Sequence, residues 1–343
     1  MSDETEAPEV VLEGERWPSR HVTFPSQDAS SPAEAADPAE GRLRETGGQL
    51  YLPAGEATNR AAVVVAHGLG GQKPERELTY GHKLAKAGYV ALVLDSFAAR
   101  DLEDASDNWR ALHVSTWSMV ADAFAALRFL AEHPAVNPRA ISVIGFSWGG
   151  MVTLLSAHEQ VRRTFLEDSD LRFAGHVAYY GCSVPRLEDP TATGAPVLSM
   201  IGDKDRNIST ERMRAICDDL RRGGAEVELK IFDGYHQWDG KDVEKRHNSV
   251  ALADLHIVLT RDNRMVDERD GRQMDGPLTR GLSILRHLDW HGYDMLRDEE
   301  LHRESDRLLF EQLDRVAERA GARRGDVERV PLGRIGEAAA EEE

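Results

Sequence analysis

An α/β domain built on a mostly parallel central sheet is predicted by three observations. Six short apolar runs recur along the chain, helix-patterned segments lie between them, and a glycine-flanked serine stands where one run gives way to a helix. The runs are 61–66 (AAVVVA), 90–95 (VALVLD), 140–145 (AISVIG), 174–181 (AGHVAYYG), 196–202 (PVLSMIG) and 226–232 (EVELKIF). Runs of this length, rich in Val and Ile and without polar alternation, suit strands covered on both faces. Their alternation with helices implies parallel units joined by right-handed crossovers.

Taken in order, residues 20–24 and 49–52 read as short strands at a sheet edge, and 26–40, rich in Ser, Pro, Ala and acids, as a loop. In 112–133, Val114, Trp117, Ala121, Phe124, Leu127 and Leu130 form one helical stripe, which Pro134 and Pro138 bring to an end. A helix-capable run at 150–158 follows the serine; Met213, Ile216, Cys217 and Leu220 mark another helix, stopped at Gly223–Gly224. The C-terminal third changes character. Strands are expected at 255–259 and 264–266, a turn at Asp270–Gly271, and helices at 279–288 and 298–320, the last with an apolar face of Leu301, Leu308, Leu309, Leu313 and Val316. The expected layout is a disordered acidic tail at 1–19 and one domain over 20–320. Within that domain, 248–296 is an insertion or subdomain and 298–320 a closing helix; a flexible tail follows at 321–343.

Composition narrows the function. The 343 residues are 41% hydrophobic and 30% charged, which fits neither global disorder nor a membrane protein. A net charge of −18 argues against a nucleic-acid partner, since phosphate binding needs a basic face. Much of that charge sits in the tails, where 1–15 hold six acids and no base. Two cysteines, Cys182 and Cys217, cannot build a disulfide framework, and the N-terminus has no basic start followed by an apolar run, so a cytoplasmic protein is expected.

The chemistry is carried by 141–151, ISVIGFSWGGM. A buried strand runs directly into Gly145-Phe146-Ser147-Trp148-Gly149, the G-x-S-x-G pattern in the strand–turn–helix setting of a nucleophile elbow. Such a turn presents Ser147 at the C-terminal edge of the sheet, beside a helix N-terminus that favours developing negative charge. A serine hydroxyl needs a base and the base an orienting acid, expected in the order Ser, Asp/Glu, His, each just past a strand end. His236 follows the run 226–232 and the turn Asp233-Gly234, which makes it the candidate base. The acid is Asp203 or Asp205, both after Gly202; Asp205, further from the strand, is better placed to reach His236. For the oxyanion, the N–H of Trp148 and that of Leu69, in His67-Gly68-Leu69-Gly70-Gly71 after the first run, are the candidate donors. His67 reads as a structural hydrogen-bonding residue.

These residues together resemble the dienelactone hydrolase family of α/β-hydrolases. The matching pieces are HGLGG at 67–71, GYVALVLDSFAAR at 88–100, GFSWGG at 145–150, YYG at 179–181, GDKD at 202–205 and YH at 235–236, within a resemblance spanning about 20–246. The resemblance implies a compact α/β-hydrolase, usually without a large cap, that cleaves small esters or lactones; no cofactor is expected. In its G-x-x-D pattern the acid is the fourth residue, which selects Asp205. One departure stands out. The family's name-giving enzymes carry a cysteine nucleophile where this chain has Ser147, which points away from dienelactone itself. Cys182 sits on no elbow and reads as a small buried residue.

His287 and His291 are four apart, but HLDWH lacks a metalloprotease glutamate and no third ligand is evident, so no metal is expected. Trp109, Trp148, Trp238, Arg100 and Arg110 are candidates to line the pocket, an aromatic and arginine lining that would suit a substrate with an apolar body and an anionic group. The expected function is therefore a serine hydrolase acting on a small-molecule ester or lactone, with neither nucleic acid nor membrane as partner. A peptidase or acyltransferase on the same three residues, or a non-catalytic binding protein on this fold, are the alternatives.

Overall fold

The computed structural model describes residues 11–12, 15–16, 18–36, 42–55, 58–167, 169–182, 184–240, 244–274 and 276–322. Of the acidic tail expected at 1–19, residues 11–12, 15–16 and 18–19 are described, Val11–Leu12 pairing antiparallel with Glu15–Arg16; the rest of it, and all but 321–322 of the tail expected at 321–343, lie outside the described residues. Eight strands form one sheet: β1 (Ser19–Asp28), β2 (Arg42–Tyr51), β3 (Arg60–Ala66), β4 (Val90–Leu94), β5 (Val136–Phe146), β6 (Gly175–Tyr179), β7 (Val197–Gly202) and β8 (Val227–Phe232). Their order is β8-β7-β6-β5-β3-β4-β2-β1. Every pairing from β8 to β4 is parallel, and β2 and β1 are added antiparallel. All residues of β3, β4, β6 and β7 are buried, as their unbroken apolar sequences require, whereas β8 at the edge is half-buried throughout. From β3 the chain crosses to β4 on one side and then to β5 on the other, so a crevice opens at the C-terminal ends of β3 and β5, where α/β proteins place their ligands.

Helices cover both faces. Helices α1 (Thr79–Lys86), α2 (Thr116–Glu132), α3 (Trp148–Leu155), α4 (Thr210–Arg222) and α5 (Glu299–Arg319) are the main ones. Strand β6 shows the division, because residues three apart on a strand point to opposite faces. The Tyr179 hydroxyl donates to the Ser305 carbonyl of α5, while His176 lies within electrostatic reach of His158, which follows α3. On the α5 side, Tyr80 and Lys83 of α1 both bond Asp306.

Three expectations about elements differ from what is found. The edge strands at 20–24 and 49–52 are ten residues each, in register from Ser19 opposite Tyr51 to Asp28 opposite Arg42. The loop expected at 26–40 therefore begins as strand and then contains the short helix Pro32–Ala36. Polar contacts hold this extension: Ser26 donates to Asp122, and Asp28 pairs with Arg44 and Arg100. The helix expected at 112–133 is two helices, Asp107–His113 and α2, because Val114 and Ser115 are extended and the Ser115 hydroxyl caps α2 by accepting the Ser118 N–H at 2.9 Å.

In 248–296, Ile257–Leu259 and Met265–Asp267 form a hairpin that joins Arg186–Leu187 in a three-stranded sheet, followed by helix Pro277–Arg286. Strand Tyr293–Leu296 pairs antiparallel with Lys245–Asn248. Among the described residues no helix is long and apolar enough to cross a membrane.

His158 and His176 are both buried, on the sheet face away from α5, and burial pushes both imidazoles down to about 4. A histidine whose folded value lies below its unfolded value, about 6.5, contributes stability that is present above that value and lost as pH falls toward the folded one. Between pH 7 and 5 each should therefore remove roughly 2 kcal/mol of stability, over a range where most carboxylates stay ionised. Urea unfolding midpoints measured at pH 7, 6 and 5 should fall steeply, and His158→Gln should make the fall shallower; parallel curves would exclude these two groups as its source.

Candidate active site

At the end of β5 the backbone turns through Ser147 with φ 54° and ψ −109°, and α3 begins at the next residue. A non-glycine residue there is strained and is held by its surroundings. The Ser147 N–H donates to the Tyr179 carbonyl at 2.9 Å. Gly149 lets α3 approach β3 closely, since a Cβ there would stand 2.1 Å from the Ala66 carbonyl oxygen. The sharp turn leaves the Ser147 side chain projecting from the sheet edge. Residue Trp148, first in α3, has an N–H without an intrahelical acceptor by position, immediately after the serine.

Strands β7 and β8 bring two loops to the same edge. Gly202 ends β7 against the next loop, where a Cβ would lie 2.1 Å from the Gly234 carbonyl oxygen. That approach brings 203–205 beside 234–236. His236 Nδ1 is 2.5 Å from Asp205 Oδ2, and its Nε2 is 3.0 Å from Ser147 Oγ. An ionised carboxylate only accepts, so Nδ1 carries the proton and Nε2 is left to accept from the serine hydroxyl. The second Asp205 oxygen, Oδ1, accepts the Asn207 N–H at 2.9 Å. Of the two acid candidates, Asp205 is buried against His236 and Asp203 is exposed. His236 itself is fully buried. Tyr180, from the end of β6, has its ring centroid 4.7 Å from the imidazole, and Tyr293 lies at 4.9 Å, nearly perpendicular.

The loop after β3 lies beside the serine: a Cβ on Gly68 would stand 3.4 Å from Ser147 Cβ. Gly68, the neighbour in sequence of Leu69, the other candidate donor, thus lies against Ser147. His67 is buried, with Nδ1 donating to the Gly68 carbonyl at 2.8 Å and Nε2 accepting the Ser96 N–H at 3.1 Å. Both nitrogens are satisfied in one neutral tautomer, a structural role. Arg76 and Glu77, buried as an ion pair at 2.7 Å, support the loop from below, where Glu77 Oε2 accepts the Lys73 N–H at 3.1 Å. Neither residue stands out in the sequence, and Tyr180, its hydroxyl bonded to buried Asp239, enters there only as part of YYG.

The other candidates separate. Trp148 lies beside the serine with its indole N–H on Thr116, whereas Trp238 is core, donating to Ser305 at 3.1 Å, and Trp109 is exposed. Neither arginine expected to face a substrate is available to one. Arg100 is bound by Asp28 and Asp122, and Arg110 donates to the carbonyls of Leu69, Leu102 and Glu103. Cys182 is buried against Met151. His287 and His291 pair with different carboxylates, Asp267 and Asp289.

Residues 47–254 match the dienelactone hydrolase family, well over half of the chain. The chain belongs to that family. Among curated proteins it is 28% identical over 160 residues to a Bradyrhizobium protein named "Probable 2-oxo-3-(5-oxofuran-2-ylidene)propanoate lactonase", covering 44% of this chain and 62% of that one. It is also 28% identical over 138 residues to the Bacillus subtilis protein named "Uncharacterized peptidase YtmA", covering 33% and 54%. The chain thus spans a little over half the length of these relatives. Among solved structures, a dienelactone hydrolase-like promiscuous phosphotriesterase, P91, from metagenomic libraries aligns with a TM-score of 0.50 at 16% identity, covering 86% of this chain and 98% of that one, a likeness of fold. Together with the sheet order, membership establishes the α/β-hydrolase fold.

Proposed function

We propose that this family member is a serine hydrolase of small, uncharged carboxylic esters or lactones, with Ser147 as nucleophile, His236 as general base and Asp205 as its orienting acid. The observation that carries the reading is the unbroken line of contacts from Ser147 Oγ through both imidazole nitrogens to Asp205. In the first half-reaction His236 Nε2 takes the hydroxyl proton as Ser147 Oγ attacks the carbonyl carbon. The oxyanion is held by the N–H groups of Trp148 and Leu69, and the imidazolium returns its proton to the leaving alkoxide. A water then gives its proton to Nε2, attacks the acyl-enzyme and releases the acid, with Ser147 recovering the proton.

The uncharged substrate class follows from the arginines. Arg76, Arg100 and Arg110 are all engaged with internal partners, and Asp107 places negative charge within reach of Tyr293 at the site. The substrate in the Bradyrhizobium relative's name is a propanoate, an anion that none of these three guanidiniums is left to meet here. A fluorophosphonate should therefore add to the peptide containing Ser147. Neutral p-nitrophenyl acetate or butyrate should be hydrolysed with kcat/KM at least about tenfold above the hemisuccinate ester, the cost of an unpaired charge near the site. No adduct and no turnover would defeat the hydrolase reading, and a preference for the hemisuccinate would defeat the substrate class alone.

A further inference from the structure

The geometry points to Tyr293 as a positioning residue for His236, supplied by a strap of chain that lies beyond the residues matched to the family. The inference rests on His236 acting as the general base. The family match ends at residue 254, yet strand Tyr293–Leu296 returns to the site and pairs with Lys245–Asn248. Its main chain is bonded directly to the histidine loop: the His236 N–H donates to the Asp294 carbonyl at 3.3 Å, and the Leu296 N–H donates to the His236 carbonyl at 3.2 Å. Next along, the Asp298 N–H donates to the Trp238 carbonyl at 2.9 Å, immediately before α5 begins.

The chain leading into the strap, still within the matched residues, reaches the acid. Asn207, whose N–H bonds Asp205, accepts the Leu252 N–H on its side-chain oxygen at 2.8 Å. Acid loop and base loop are thus both tied to 245–298, a stretch that is not needed to complete the eight-stranded sheet.

Against this backbone frame the Tyr293 ring acts on the imidazole itself. To work, the ring must hold Nδ1 toward Asp205 while Nε2 faces Ser147, and a rotation about the Cβ–Cγ bond breaks both contacts at once. Among the described residues Tyr180 and Tyr293 are the two aromatic rings packed on it, and each has its hydroxyl tethered, Tyr180 to Asp239 and Tyr293 as acceptor from Asn248 Nδ2 at 3.3 Å. Burial raises the Tyr293 phenol above its ordinary range, so it adds no charge beside Asp205 at neutral pH.

Tyr293→Phe, Tyr293→Leu and Tyr293→Met test the role. The phenylalanine variant keeps the ring and should hold kcat within about threefold of the parent. The leucine variant should lose about 10- to 100-fold in kcat with KM within about threefold, and its rate of fluorophosphonate labelling should fall in parallel. Rates are expressed per labelled site, and thermal melts identify any unfolded fraction; should the leucine variant not fold, methionine, which also fills the space without a planar ring, is judged by the same numbers. Parental kcat per labelled site in the non-aromatic variant overturns the inference, as does a loss that phenylalanine fails to rescue. An inactive parent, or an active Ser147→Ala, instead strikes the reading of His236 as base.

Discussion

Ser147→Ala should reduce ester turnover by about 10⁴- to 10⁶-fold while leaving the fold intact. Removing a nucleophile leaves only what binding and the oxyanion donors supply. The fold should survive because the Ser147 hydroxyl caps no helix; its contact is with His236. Alanine inherits the same φ of 54°, so it neither relieves nor adds to the backbone strain. Ser147→Gly is the informative companion. It should be equally inactive but more stable than the alanine variant by about 1 kcal/mol, because glycine adopts that conformation without strain. Initial rates on p-nitrophenyl butyrate, with urea unfolding of both variants, check the two parts separately. Turnover within tenfold of the parent in Ser147→Ala would remove the serine from the mechanism; equal stability of the two variants would remove the strain.

That strain was foreseeable from sequence, as was much of the sheet, for one physical reason. Strands buried on both faces must be apolar throughout, and a close strand–helix approach must use glycine, so β3 to β7 and the Gly145–Gly149 turn each leave a local signature. The acid loop was partly readable, because Gly202 marks the strand end and only the second following aspartate lies far enough on to turn inward. What local sequence does not encode is partnership across distance. Nothing around Tyr293 announces that its ring meets His236, and nothing in Arg100 or Arg110 says that carboxylates and carbonyls elsewhere claim them. Ser115 is a smaller case of the same limit. The apolar stripe runs on through Val114, but a hydroxyl able to cap the next helix breaks the element there. Polar residues mislead most, since a charged segment reads as solvent-facing unless its counter-charges are known.

Arg76 and Glu77 are that case, and Arg76→Met should be the most damaging single change to stability near the site. Arg76 is 2% exposed and Glu77 fully buried, with the guanidinium over the Phe146 ring and within electrostatic reach of Asp239, itself 1% exposed. Deleting one partner of a buried pair leaves the other charge without compensation, at a cost of about 3–5 kcal/mol. At about 2.1 cal/mol/K per residue, that is a fall in Tm of roughly 5–8 °C. The pH dependence identifies the cause. Burial already holds the Asp239 carboxyl above its ordinary range, with Arg76 pulling it down. Once that cation is gone the carboxyl is held higher still, and its burial penalty, full above the raised folded value, lifts as pH falls through it, so the deficit should be smaller at pH 5 than at pH 8. The double variant Arg76→Met, Glu77→Gln removes both charges and should recover part of the lost stability, since non-additivity is the mark of a coupled pair. It should not recover full activity, because the Glu77 carboxylate also holds the Lys73 N–H of the loop that carries Leu69. Thermal melts of the parent and three variants, including Glu77→Gln alone, close the cycle. Additive losses with no pH dependence would mean that Arg76 matters for its bulk against Phe146 and not for its charge.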